Sequence, residues 1–126
     1  MTQLLAVGMG GFMGACARYG LTKLLAGYQH FPLGVLLSNI IAGLFIGIII
    51  GMERQNAALQ PHIRLFMVTG LLGGLSTFCT FSLDTVLFIE GGNYLKAGLN
   101  VLSNNVLGML AVFAGFMFAN FVRKLI

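Results

Sequence analysis

Charged residues are scarce in this sequence of 126 residues, at 8% of the chain, and acids are the scarcest, with three Asp and Glu together. Hydrophobic residues make up 58% of the chain, which is more than a soluble domain of this length could bury in one core. The composition therefore excludes an ordinary soluble domain and indicates a membrane protein.

Residues of common enzyme and metal sites are few as well, with two His and two Cys. No Cys/His spacing typical of a zinc site occurs, and no ATP-binding motif is present. His30 and His62 fall in predicted connections, away from any Ser or Cys that would form a nucleophile and base pair. Cys16 and Cys79 fall inside apolar stretches, where we interpret both as small packing residues rather than a disulfide. We expect no enzyme.

Four apolar stretches cover nearly the whole chain, at residues 4–26, 33–52, 65–89 and 94–122. At about 1.5 Å per residue, each is long enough to cross the hydrocarbon core of a bilayer. The first stretch ends in Arg18 and Lys23 without a signal-peptide cleavage site, so we expect it to remain as a helix. Pro32 and Pro61 suit the first turns of the second and third helices. The sequence predicts an all-α membrane protein, with residues 1–126 forming a single four-span transmembrane domain.

The basic residues divide almost evenly between the two sides of such a bundle. One side receives Arg54, Arg64, Arg123 and Lys124, and the other receives Lys23, Lys96 and, by one count, Arg18. Because Lys and Arg in short loops set membrane orientation, this division gives little preference for either direction. Insertion in both orientations, which permits an antiparallel dimer, and insertion in one orientation both stay open. The net charge of +4 needs no nucleic-acid partner, since basic helix ends reach lipid headgroups.

Small and polar residues recur at four-residue spacing on three of the predicted helices. The stripes are Gly10, Gly14 and Arg18; Asn39, Gly43, Gly47 and Gly51; and Asn100, Asn104, Gly108, Ala111 and Gly115, with Asn105 alongside. Glycines at this spacing favour close helix packing. An amide within an apolar span is costly unless it is satisfied, and its N–H groups can serve an interhelical hydrogen bond or an anion. Both interpretations of the asparagines stay open.

The segment GGLSTFCTFSLD, residues 73–84, places two adjacent glycines, four hydroxyl side chains and an acid in the third apolar stretch. We predict that the third helix breaks near its middle, at residues 73–77. Unwound backbone at that depth must be buried in protein or line a polar cavity. Its freed carbonyls would suit a monovalent cation, shared between two copies if the break lies on a two-fold axis.

Two phenylalanines follow the predicted break. Phe78 and Phe81 lie three residues apart on one helix surface, with Thr77, Thr80 and Asp84 as a polar line beside them. Such rings most often belong to a core. Their positive edges, placed next to amide and hydroxyl donors, would also suit a small anion, and weak donors would let that anion leave again.

Four motifs connect the chain with a known family. They are GGFMGACARY at 10–19, PLGVLLSNIIAG at 32–43, TGLLGGLSTFCTFS at 69–82 and NVLG at 105–108. With these motifs the chain resembles the Fluc (CrcB-type) fluoride channels of microbes over essentially its whole length. The resemblance implies an antiparallel dual-topology homodimer in the cell inner membrane, whose two pores let fluoride leave the cytoplasm passively. It also implies a structural sodium ion (Na+) at the dimer centre.

The resemblance further implies roles for individual residues. Along the fluoride pathway it places the amide of Asn39, the ring edges of Phe78 and Phe81, the hydroxyl of Thr80, Cys79, Asn105, and Asp84 in the position of a family glutamate. Arg18 would lie near the aqueous vestibule, and the backbone carbonyls of Gly73 and Ser76 would hold the sodium ion. Cys79, Met109 and Val35 stand where the family usually has hydroxyl residues, so the polar track is expected to be thinner here.

Two other functions compete with a channel. A proton-coupled exporter, similar to the small four-span multidrug transporters, needs an embedded acid; Asp84 alone lies within the first three apolar stretches, and the chain has no Trp to stack a drug cation. Alternatively, the glycine and asparagine stripes serve only the assembly of a non-transporting membrane subunit.

Overall fold

The computed structural model describes residues 1–28, 30–55 and 59–125, and these residues form helices joined by short turns. Four spans run over Thr2–Leu24 (α1), Leu33–Glu53 (α2), Pro61–Glu90 and Tyr94–Leu125 (α6). Each is long and apolar enough to cross a membrane, and no strand occurs among the described residues. The predicted all-α, four-span architecture is confirmed, and the chain is a multi-pass membrane protein.

Helix starts agree with the proline positions to within one residue. Pro61 is the first residue of the third span, whereas Pro32 immediately precedes α2 as its N-cap. His62, which we expected in a connection, lies in the first helical turn of the third span. Residues 29 and 56–58, which belong to the two predicted connections on either side of α2, lie outside the described residues.

The third span consists of four pieces. They are α3 (Pro61–Arg64), a π-helical segment (Leu65–Leu72), α4 (Gly73–Leu75) and α5 (Phe78–Glu90). Ser76 and Thr77 between α4 and α5 are extended, with ψ angles of 151° and 126°. The predicted break near the middle of the third helix is confirmed. It lies at these two hydroxyl residues, while Gly73 keeps helical dihedrals, with φ −65° and ψ −35°.

Of the glycine pair before the break, Gly74 serves helix packing, whereas a Cβ atom added to Gly73 would meet only the backbone oxygen of Val68, at 3.6 Å. A Cβ atom added to Gly74 would lie 2.7 Å from the backbone oxygen of Gly11, and one added to Gly14 would lie 2.8 Å from the backbone nitrogen of Leu75. Side chains at these positions would separate the two backbones. The close approach of α1 to α4 therefore requires glycine, and the chain breaks just beyond this contact.

Helices α2 and α6 cross equally closely. A Cβ atom on Gly115 would lie 2.7 Å from the backbone nitrogen of Ile48 and 2.9 Å from Cα of Gly47. The packing interpretation of these glycines is confirmed. For Gly108, another member of the α6 stripe, no atom of the described residues lies within 4 Å of an added Cβ, so close packing within one copy does not explain it.

Gly115→Ala is expected to destabilise the bundle by about 1–3 kcal/mol, because the added methyl group forces α2 and α6 apart. Gly98→Ala on the same helix is the matched control, since an added Cβ there meets nothing within 4 Å. Thermal unfolding of both variants in detergent, followed by circular dichroism, checks the expectation. Equal melting temperatures for Gly115→Ala and the unaltered protein would contradict it.

A tight turn joins α5 to α6. Gly92 has a φ of +73°, a conformation that glycine adopts without strain. Its N–H donates to the oxygen of Ile89 at 3.0 Å, and the N–H of Asn93 donates to the oxygen of Phe88 at 2.8 Å. This pair of bonds is a Schellman motif, which satisfies carbonyls at the end of α5. The two helices consequently follow each other as a hairpin.

The cysteines do not pack between the helices of this chain. Cys16 and Cys79 are both exposed, so the prediction that they are packing residues is wrong within a single copy. On α5 the inward direction belongs to Phe81, which is buried, and Cys79 lies on the outer side.

Candidate functional site

A groove of about 330 Å³ opens beside the break, between α2, α5 and α6. Its lining consists of Asn39, Ala42, Gly43 and Ile46 from α2, Ser76, Thr77, Phe78 and Phe81 from the break and α5, and Asn104, Asn105, Gly108 and Val112 from α6. No charged side chain belongs to this set of described residues. The groove therefore presents amide, hydroxyl and ring-edge dipoles in otherwise apolar surroundings.

The rings of Phe78 and Phe81 both line the groove. Their centroids lie 5.5 Å apart and their planes make an angle of 59°, an inclined arrangement that aromatic pairs favour. Phe81 is 9% exposed and Phe78 is 76% exposed. Phe81 therefore belongs to the inner wall, and Phe78 forms the outer rim.

The side chain of Asn39 holds the break in place. Its Oδ1 accepts from the backbone N–H of Thr77 at 2.8 Å, and its Nδ2 donates to the backbone oxygen of Thr77 at 3.4 Å. The same Nδ2 donates to Oδ1 of Asn104 at 2.9 Å. One asparagine of α2 thus binds the extended backbone on one side and α6 on the other, as the interhelical interpretation of the asparagines expected.

Two backbone carbonyls lose their helical donors at the break. The N–H of Thr77, which a continuous helix would direct to the oxygen of Gly73, bonds Asn39 instead. The N–H of Thr80, which would serve the oxygen of Ser76, donates to Oγ1 of Thr77 at 3.3 Å and so caps α5. The carbonyls of Gly73 and Ser76 are therefore freed from the pattern of a continuous helix.

Other predicted site residues lie at different places. Thr80 is linked to the groove through a 3.3 Å hydrogen bond between its hydroxyl and that of Thr77, while Cys79 is outside the groove lining. Asp84 borders a second cavity of about 330 Å³ near the end of α1, together with Thr22 and Tyr28.

The Nε of Arg18 donates to the backbone oxygen of Gly74 at 3.3 Å, behind the break. The structure thus brings four predicted pathway residues, Asn39, Phe78, Phe81 and Asn105, into one groove. It leaves Cys79, Asp84 and Arg18 apart from that groove.

Asn100 and Asn104 make interhelical hydrogen bonds, one of the two interpretations that the sequence left open, although the resemblance gave neither residue a role in the fluoride pathway. Asn104 lines the groove, and Asn100 lies behind it. Asn100 is completely buried and donates through Nδ2 to Oγ1 of Thr85 at 2.9 Å and to the backbone oxygen of Phe81 at 3.3 Å. Asn104 donates through Nδ2 to Oδ1 of Asn100 at 3.0 Å. In the sequence, this network is indicated by the four-residue spacing of Asn100 and Asn104 within one apolar stretch and by Asn39 within another.

Comparison with known proteins adds an independent observation. Residues 5–116 match the family model described as CrcB-like protein, camphor resistance (CrcB). Three curated relatives are each named fluoride-specific ion channel FluC. The protein of Psychrobacter cryohalolentis is 43% identical, with 95% of this chain and 98% of the relative covered. That of Thermococcus kodakarensis is 42% identical, with 91% and 94% covered, and that of Thiobacillus denitrificans is 39% identical, with 98% and 100% covered. The resemblance carried by the four motifs is confirmed, and the chain belongs to the CrcB family.

Proposed function

We propose that this chain forms a fluoride-selective channel through which fluoride leaves the cytoplasm passively across the cell inner membrane. The relatives named above are fluoride-specific ion channels. The observation that carries the proposal is the uncharged groove beside the broken helix, where amide, hydroxyl and phenyl-edge dipoles meet. Membership of this channel family also confirms the prediction that the chain is not an enzyme.

The donors of the groove suit a small anion that must lose its water. The longest hydrogen bond of Asn39, 3.4 Å from Nδ2 to the oxygen of Thr77, is the weakest of its contacts, so fluoride would replace this acceptor most easily. The ring edges of Phe78 and Phe81 would add partial positive charge. Because no Lys or Arg is among the described residues that line the groove, fluoride would not be trapped, whereas chloride would be too large for closely spaced donors.

The groove is open on one side in a single copy. Phe78 and Asn105 line it and are both exposed, although they lie within membrane-spanning helices. We propose that a second copy in the opposite orientation closes the groove, so that an antiparallel homodimer holds two pores. The even division of basic residues between the two sides of the bundle supports insertion in both orientations.

The freed carbonyls of Gly73 and Ser76 fit the proposed sodium ion. Carbonyl oxygens are suitable donors for a hard monovalent cation, and the diversion of the Thr77 and Thr80 N–H groups leaves both carbonyls without a helical partner. A sodium ion bound by these residues from two copies would supply positive charge that balances converging carbonyl dipoles at the dimer centre.

The exporter alternative is not favoured. Its embedded acid, Asp84, lines a cavity separate from the groove, and the curated relatives are named as channels.

Efflux from liposomes tests the proposed function. Purified protein is expected to release fluoride much faster than chloride, as measured with ion-selective electrodes and compared with protein-free vesicles. Release of neither ion would refute a channel and leave the non-transporting subunit as the better interpretation. Release of both ions at equal rates would refute selectivity for fluoride.

Membrane topology is tested separately. A reporter fused to the C-terminus should give signal from both sides of the membrane when the chain inserts in two orientations. Signal from one side alone would refute the antiparallel dimer while leaving fluoride conduction untouched.

A further inference from the structure

A chain of hydrogen bonds runs from the break into α6. The backbone N–H of Thr77 donates to Asn39, Asn39 donates to Asn104, and Asn104 donates to Asn100, at 2.8, 2.9 and 3.0 Å. Asn100 then donates to the backbone oxygen of Phe81 at 3.3 Å. We call the side chains of Asn39, Asn104 and Asn100 the amide relay.

The amide relay connects the two ends of one helical turn. It begins at Thr77, the N-cap of α5, and returns to the same helix at the oxygen of Phe81. The turn between these two residues carries both phenylalanine rings. A second route reinforces the return, because Nδ2 of Asn100 also donates to Oγ1 of Thr85 at 2.9 Å, and that hydroxyl donates to the oxygen of Phe81 at 2.8 Å.

Asn100 and Asn104 keep no free donor for an anion among the described residues. Nδ2 of Asn104 donates to both the backbone oxygen and Oδ1 of Asn100, each at 3.0 Å. Nδ2 of Asn100 donates to Thr85 and Phe81, and the residue is completely buried. An amide nitrogen has two hydrogens, so both nitrogens are fully used within the protein.

We infer that Asn100 and Asn104 are positioning residues of the ion pathway. They hold the amide of Asn39 and the ring-bearing turn of α5 at a defined separation without donating to the ion themselves. The inference rests on the proposed function, since it concerns how the fluoride groove is kept in shape. Consecutive hydrogen bonds polarise one another in a low-dielectric interior, so loss of one member weakens the bond that Asn39 makes at the break.

A second amide–amide hydrogen bond between the α2 region and α6 provides a control for the Asn104 variants. Nε2 of Gln55, just after α2, donates to Oδ1 of Asn120 on α6 at 2.7 Å. This is also an amide–amide bond between the α2 region and α6, but it is exposed and lies far along α6 from the groove. Asn120→Ala removes an interhelical bond of the same chemistry without touching the amide relay.

The experiment compares Asn104→Ala, Asn104→Ser and Asn120→Ala in the liposome efflux assay, with flux expressed per folded protein. Neither Ala nor Ser at position 104 can make the hydrogen bonds that connect Asn39 to Asn100. The Ser variant keeps a polar side chain and serves as the test if the Ala variant does not fold. We expect both Asn104 variants to lose fluoride flux by about tenfold or more, as for a coupled network. Asn120→Ala should stay within about twofold of the unaltered protein, as expected for a change at an exposed site.

Hydrogen exchange of the Thr77 backbone amide separates positioning from a general loss of stability. Asn104 does not bond Thr77 directly, yet its substitution should raise exchange at Thr77 by about tenfold, while exchange at Ala42 in the middle of α2 stays unchanged. Unreduced flux in the Asn104 variants would overturn the inference. So would lost flux with unchanged exchange at Thr77, or a uniform rise in exchange across the bundle.

The two proposals fail in different ways. If the unaltered protein passes no fluoride, the proposed function fails, and the pathway role of Asn100 and Asn104 fails with it. If the unaltered protein conducts and the Asn104 variants conduct equally well, only the positioning role is refuted.

Discussion

Phe78→Ile and Phe81→Ile are each expected to reduce fluoride release to the leak rate of protein-free vesicles. Isoleucine fills similar space but lacks the positive ring edge that would face the anion. The two variants should differ in stability. Phe78 is mostly exposed within one copy, so its replacement should lower the melting temperature less than replacement of the buried Phe81, which should cost about 1–2 kcal/mol. Liposome efflux and thermal unfolding in detergent measure the two effects.

Phe12→Ile is the control for this pair. Phe12 lies on α1 and is 72% exposed, close to the exposure of Phe78, but it does not line the groove. Its replacement should change neither flux nor melting temperature. Undiminished flux in both Phe78→Ile and Phe81→Ile would remove the rings from the pathway.

Asn39→Leu is expected to abolish flux and to destabilise the protein. The change removes the acceptor of the Thr77 N–H and the donor to Asn104 at once. Each buried polar group left unpaired costs about 1–3 kcal/mol. The freed N–H of Thr77 would then favour the oxygen of Gly73 and a continuous helix. Efflux measurements and thermal unfolding check both parts of the expectation.

Asn39→Asp separates the two functions of this side chain. The aspartate keeps an oxygen for the N–H of Thr77, so the break should persist and stability should fall less than in Asn39→Leu. Flux should still be lost, since the carboxylate donates no hydrogen bond and repels an anion. Ser38→Ala is the neighbouring control, because its buried hydroxyl donates to the oxygen of Gly34 on the same helix, at 2.7 Å, and does not belong to the groove lining. Near-normal flux in Asn39→Asp would refute the donor role of Asn39.

Local sequence features were sufficient to predict the spans and the break. Long apolar stretches must be helical in lipid, because every backbone group has to find a partner there. The segment around residues 73–77 combined glycine with hydroxyl side chains that can compete for backbone groups. Sequence spacing also placed Phe78 and Phe81 side by side, since residues three apart share one face of a helix.

Contacts between helices could not be predicted in the same way. Whether Gly74 ends a helix or packs against Gly11 depends on where α1 crosses the third span. The partner of Asn39 depends on how α2 and α6 are rotated about their axes, which a stripe of small residues leaves open. Asp84 shares a line with Thr77 and Thr80 along α5, yet it borders a different cavity because α1 ends beside it.

Thr77 and Phe81 also determine the orientation of each side-chain amide in the relay, that is, which of its two positions holds Oδ1 and which holds Nδ2. A main-chain N–H can only donate a hydrogen bond and a main-chain oxygen can only accept one. The two ends of the relay therefore allow only one order of donors and acceptors along the three amides. Rotating one carboxamide by half a turn would set nitrogen against nitrogen on one side and oxygen against oxygen on the other. None of the three side chains can therefore reverse, alone or together with the others, without losing hydrogen bonds, which keeps Asn39 from flipping as ions pass.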